Sequence, residues 1–407
     1  MQFLERHRIF LYQNYLLYAI AFFIPLFPKI VPVLIIAFGV LSGYAIAKKY
    51  SRVEMSEISI LMILFYLLHG VGLIYTENLP RGWFDMEVKL SLLAFPIAFV
   101  GFKFVNTTNF TQTLRMFMYG SLAAAAFCLA QSLIKVTVMD MGYYHLLTSR
   151  FSVIVHPSYF AMYLIFSILI LMYIEWPLIH FDEPRLSARN VGVLLFLSLS
   201  VILTGSKTGF IMWAFVMLFV TGVLTAYMRH KWIPIVGFVI VSSMVGVIFE
   251  NAPLLQSRII NVLEVAGSES VDPETTESTA LRYLVYSSSW EIIQSQDWYG
   301  QGTGDFQLAL DELYNERGFT KAASQHLNAH NLFLQTGLAL GIPGFSMIVG
   351  IFLMMFIQGF RYREYLFVGF TLMFLIISFT ESVFNVQAGV VFFSFFTVLL
   401  ARRSANA

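Results

Sequence analysis

Asn190 to Met228 reads NVGVLLFLSLSVILTGSKTGFIMWAFVMLFVTGVLTAYM, and Lys207 is its sole charge. Two apolar runs, 190–204 and 208–228, flank the turn Thr204-Gly205-Ser206-Lys207-Thr208-Gly209. A helix crossing the hydrocarbon of a bilayer needs about 20 mostly apolar residues. The stretch therefore reads as two spanning helices joined by a short polar turn at a membrane face.

The same pattern recurs along the chain, at 9–27, 30–47, 58–75, 88–105, 114–134, 153–174, 233–249, 331–357, 365–381 and 384–401. With the first pair, that predicts about twelve spans in an all-α integral membrane protein. Composition agrees: 58% of the 407 residues are hydrophobic, 12% are charged and the mean hydropathy is +0.74, too apolar for a solvated surface. A net charge of +1 provides no basic field for nucleic acid, which is not an expected partner. One cysteine, Cys128, excludes an intramolecular disulfide and a cysteine-based metal cluster. Met1–Arg8 is basic and leads straight into apolar segments, so it reads as the start of a retained first helix. Proline cannot donate within a helix, so the run 331–357 is expected to break near Gly341-Ile342-Pro343-Gly344.

With the amino terminus inside, fifteen Lys and Arg fall on the cytoplasmic side, against six in or beside the short outer loops. That satisfies the positive-inside rule and puts both termini in the cytoplasm. The chain divides into spans at 1–250, a large outer loop at 251–329 and further spans at 330–407. Within the loop, Gly267–Glu274 reads as an acidic turn-rich stretch, 280–296 as a helix suited to the membrane surface, and 305–317 as another helix.

Polar groups at the outer face are where chemistry is to be sought, since burying them unpaired is costly. In the 204–209 turn, hydroxyls, amides and Lys207 at a helix start suit phosphate oxygens; a solvated lysine in a hairpin is the plain alternative. Gln325-His326-Leu327-Asn328-Ala329-His330-Asn331 ends the loop. His326 and His330, four apart, could share a helix face as metal ligands, but no carboxylate stands at the matching spacing. His330 suits proton transfer or phosphate contact, because imidazole changes charge near neutral pH. Arg282 and Arg150 offer the planar fork that grips phosphate, with lipid headgroups as the other reading for Arg150. Asp85 and Glu87 have the form of a cation-holding pair but sit where a helix enters the interface. Glu381 is an outer-face carboxylate with no evident partner, a candidate base or ion pair.

At these residues the chain resembles the O-antigen ligase and polymerase superfamily of bacterial inner-membrane glycosyltransferases, over about residues 150–345. Leu203–Gly209 is similar to the family's Ser-Gly-Ser-Arg-Gly turn, with Lys207 where arginine is usual. Arg282, Trp290 and Gly300-Gln301-Gly302-Thr303-Gly304 resemble the arginine, aromatic and glycine-rich positions of the family's periplasmic loop. His330-Asn331, nine residues, then Gly341-Ile342-Pro343-Gly344 fits the ligase pattern of His, a small polar residue, nine of any kind and Gly-x-x-Gly. Arg150 with His156-Pro157 is more loosely similar.

The resemblance implies a GT-C-like fold with short helices in its periplasmic loop. It implies inverting, metal-independent transfer of a glycan from undecaprenyl diphosphate to an acceptor hydroxyl at the periplasmic face, with no cofactor. Arg282, Lys207, Arg150 and Ser206 would hold the diphosphate, and His330 would contact it or take the acceptor's proton. Asn331, Gly341, Gly344 and His326 would support them. The acceptor is lipid A-core for a ligase and another lipid-linked repeat for a polymerase. The complete His-Asn pattern favours ligase, as does the lack of glycine eleven residues after either arginine. A protein O-glycosylating relative stays open. A lipid or polysaccharide transporter would instead place ionisable residues at mid-membrane. Between 251 and 329 eleven acids face four basic residues, so any grip on diphosphate must be local.

Overall fold

The computed structural model describes residues 2–51, 54–102, 107–175, 188–228, 230–250, 272–275 and 277–405. Lys103, Arg185, Arg229, Arg258 and most of the acidic stretch 267–274 lie outside them. Every regular element among the described residues is helical. Six helices there are long and apolar enough to cross a membrane: Leu4–Leu26, Pro28–Ala47, Thr108–Thr137, Pro157–Ile174, Lys207–Ala226 and Leu332–Arg361. Glu57–Gly72, Ala188–Leu203 and Tyr365–Ser378 are shorter apolar helices. The hairpin of the opening stretch is present as the helices Ala188–Leu203 and Lys207–Tyr227.

Within the run 88–105 the described residues form the end of the helix Leu79–Lys89 and the helix Ser91–Val100, adjoining at Leu90, and 103–105 lie outside the described residues. Lys89 is buried and paired with Asp85 one turn earlier, so the first helix ends in an ion pair inside the protein.

The chain forms two interleaved units. One comprises residues 1–54, 97–253 and 363–373. In it the Gln2–Leu26 and Thr107–Thr137 helices cross at Gly120, where a Cβ would stand 2.1 Å from the Phe22 carbonyl oxygen. Pro157–Glu175 is buried on nearly all sides and carries Phe166 against Phe370, ring centres 5.0 Å apart.

The other unit comprises 55–96, 254–362 and 374–407. Its organising feature is the break in Leu332–Arg361 at Gly341, with φ +58° and ψ −147°. In an unbroken helix the N–H groups of residues 342 and 343 would bond to the carbonyls of Leu338 and Ala339. Pro343 has no N–H, and Ile342 N turns to Trp298 O at 2.8 Å. Both carbonyls are taken up by the glycine-rich loop, from Gln301 N at 2.8 Å and Gly302 N at 3.0 Å. The backbones approach so closely that a Cβ on Gly300 would lie 2.5 Å from Gly341 N. The same loop reaches the helix starting at residue 57: Thr303 Oγ1 donates to His69 O at 2.7 Å. Asp305 then accepts from Glu77 N and Asn78 N at 2.7 and 2.8 Å, just before Leu79–Lys89. Residues 300–305 thus tie three helices together, through the main chain of Gln301 and Gly302 and the side chains of Thr303 and Asp305.

Candidate functional site

Glu381 lies in the turn 379–386 and is 5% exposed. A carboxylate so buried needs partners, and two sequence-distant residues supply them. Arg282 Nη2 donates to Glu381 Oε1 at 2.9 Å. His330 Nδ1 stands 3.6 Å from Oε2, within ion-pair reach but beyond a hydrogen bond, and that nitrogen has no hydrogen-bond partner.

Arg282 belongs to the helix Ser278–Ser295, capped by Glu277, whose Oε2 accepts from Thr279 N at 2.6 Å and Ala280 N at 2.9 Å. Leu281, Leu284, Val285 and Ile292 bury one face of it, close to the helical spacing read from sequence. Trp290 does not share that face and is exposed. One turn beyond Arg282, the Tyr286 hydroxyl lies 2.8 Å from Phe379 O and 3.1 Å from His330 O. Burial, only partly offset by the neighbouring Arg282 charge, pushes this phenol up to about 12. It therefore stays a donor, holding the histidine segment to the Glu381 turn.

His330 has φ +43°, a left-handed conformation that a non-glycine residue holds only when its surroundings fix it. Its N–H donates to Asn328 Oδ1 at 2.9 Å. Asn331 caps Leu332–Arg361, its Oδ1 accepting from Phe333 N at 2.9 Å and Leu334 N at 3.1 Å. Asn331 Nδ2 donates to Phe379 O at 3.3 Å and its N–H to Ser382 Oγ at 3.2 Å. Buried Gln335 adds a further tie, Oε1 accepting from Ala329 N at 3.0 Å and from the Ser382 hydroxyl at 3.4 Å. Tyr286, Asn331, Gln335 and Ser382 thus lock the loop carrying His330 to the turn carrying Glu381. Gly341 and Gly344 lie on the same helix as the cap, Gly341 at its break.

His326 does not share a helix face with His330. Both have positive φ, because the chain turns twice here, and His326 Nδ1 lies 2.7 Å from Asp311 Oδ2 at the surface. Among the described residues no three His, Cys, Asp or Glu side chains cluster as a metal site. Asp85 is buried against Lys89 while Glu87 is exposed, so the two acids point apart.

Lys207, Ser206 and Arg150 belong to the first unit. Ser206 caps Lys207–Tyr227, its Oγ accepting from Gly209 N at 3.0 Å and donating to Ser158 Oγ at 3.3 Å. Gly205 supplies the turn with φ +58°. Lys207 is the first helical residue, where a cation opposes the helix dipole but adds to its pull on an anion. The Arg150 guanidinium lies 4.2 Å from the centre of the Tyr144 ring.

Sequence reading named Arg282 and His330 but gave Glu381 no partner, and passed over Tyr286 and Gln335. Tyr286 carried a signal, since it lies four residues from Arg282 on the same helix face. Gln335, four residues past the cap, carried a similar one.

A family model described as O-antigen ligase matches residues 192–349. That stretch holds Lys207, Arg282, His330 and Gly341, and it ends before Glu381. No curated protein matches the chain.

Proposed function

We propose that the chain is a member of the O-antigen ligase and polymerase superfamily, whose ligase model matches residues 192–349, and that it is a ligase-type glycosyltransferase. It moves a glycan from undecaprenyl diphosphate to a hydroxyl of lipid A-core, with inversion and without a metal. It works at the periplasmic face of the bacterial inner membrane, with both termini in the cytoplasm. The observation that carries this reading is the buried Glu381 carboxylate, with the Arg282 guanidinium on one oxygen and the His330 imidazole beside the other.

The acceptor oxygen attacks the anomeric carbon from the side opposite the diphosphate. A C–O bond forms, the bond to the diphosphate breaks, and its electron pair leaves with the lipid diphosphate. The acceptor's proton passes to His330, and Glu381 stabilises the resulting imidazolium, as a buried carboxylate does behind a catalytic histidine. Arg282 spends one of its five N–H donors on Glu381, leaving others for the phosphate oxygens on which charge grows. Lys207, Ser206 and Arg150 belong to the other unit, where the start of Lys207–Tyr227, with Ser206 as its cap, has the chemistry of an anion-binding group in its own right. Gly341 and Gly344 act indirectly, through the break that orders the loop, and membrane lipid surrounds the apolar helices.

The test replaces Arg282 and His330 separately by Ala and measures transfer from a polyprenyl-diphosphate donor in detergent with EDTA. Transfer retained in both variants overturns the assignment. Offering lipid A-core or lipid-linked repeats as sole acceptor decides between ligase and polymerase.

A further inference from the structure

The helix that carries Arg282 has an outer stripe as distinctive as its buried face. Tyr283, Ser287, Trp290 and Gln294 recur at helical spacing and all four are exposed, Tyr283 by 56% and Trp290 by 55%. The two rings stand seven residues apart, about 10 Å along the axis. Between and beyond them lie a hydroxyl and an amide, with no aliphatic side chain. The flanking Glu291 is neutralised by Arg317, whose Nη2 donates to both its oxygens at 2.6 and 2.7 Å. A stripe meant for the bilayer would set aliphatic residues among its aromatics; this one has none. Flat rings spaced by uncharged hydrogen-bonding groups suit a saccharide, whose C–H faces stack on aromatics and whose hydroxyls need partners.

We infer that Tyr283, Ser287, Trp290 and Gln294 form a platform for the glycan chain of the lipid-linked donor. This rests on the proposal that Arg282 holds the donor diphosphate. The first sugar is bonded to that diphosphate, so the chain leaves from beside Arg282, and Tyr283 is the next residue along. The platform binds sugars without touching the reacting atoms, so its residues set affinity for long donors and leave the chemical step alone.

The experiment uses the full-length protein with two polyprenyl-diphosphate donors, one carrying a single sugar and one a tetrasaccharide. The wild type is expected to show the lower KM for the tetrasaccharide. The double variant Tyr283→Ala/Trp290→Ala raises that KM about tenfold, toward the single-sugar value, with kcat held within about twofold. Trp290→Phe keeps a ring and retains most of the preference, which separates loss of stacking from loss of folding. An unchanged preference in the double variant, or equal losses on both donors, overturns the platform while leaving the transferase reading intact. Transfer of neither donor by the wild type overturns both.

Discussion

Glu381 Oε1 accepts a hydrogen bond from Arg282 Nη2 at 2.9 Å although ninety-nine residues separate the two. The carboxylate is nearly closed off from solvent, while the Arg282 side chain keeps 23% of its exposure. One partner is therefore fixed within the protein and the other can still reach an incoming anion.

Glu381→Gln keeps the shape and removes the charge beside His330. We expect transfer at saturating donor to fall by about 10²-fold or more, with a smaller loss of thermal stability. Arg282→Lys is expected to fall between wild type and Arg282→Ala, because it keeps the charge and loses the fork. Single-turnover rates on the four proteins check the order.

Gly341→Ala sets a Cβ 2.0 Å from Trp298 O in a residue of φ +58°. The carbonyl cannot move away without breaking its bond to Ile342 N. Destabilisation of about 2 kcal/mol or more is expected, read as a lowered thermal midpoint in detergent.

Asn331→Ala removes the cap of Leu332–Arg361 and should cost about 1 kcal/mol. Asn331→Asp keeps the acceptor for Phe333 N and Leu334 N but loses the donor to Phe379 O. It should recover most of the stability and less of the activity, which paired melting and transfer measurements will show.

Tyr286 is pushed up to about 12, so folding favours its neutral form. Its contribution is complete below the ordinary phenol value near 10 and is lost as pH rises through 12. Alkaline unfolding of the wild type should show this loss, and Tyr286→Phe should flatten it. The check is a pH series of melting curves.

Transfer is expected to be unchanged in EDTA, and complete loss of activity there overturns the metal-independent reading. Asp85→Asn should instead act on stability. It leaves Lys89 buried beside a neutral partner, for which about 3–5 kcal/mol is typical. Thermal melting with and without EDTA distinguishes the two.

The local elements were legible where one rule decided them. Hydropathy marked the hairpin 190–228, and helical spacing marked 280–296 and 305–317, observed as Ser278–Ser295 and Phe306–Glu316. Proline and glycine located the break in Leu332–Arg361. Composition gave no warning that Lys89 is buried. A lysine beside an apolar run reads as an interfacial anchor until its ion pair with Asp85 is seen.

Local sequence marks the apolar helices, the break near Gly341, and Arg282 and His330 as candidate groups. These follow from solvent preference and from steric limits on a few consecutive residues. Long-range packing alone sets Glu381 between those two, fastens the loop to the turn through Gln335 and Ser382, and brings the 300–304 loop to the carbonyls freed at Gly341. Each of those pairings joins groups far apart in the chain. Buried charges and orphaned carbonyls must find partners, but which partner is in reach depends on how whole helices pack.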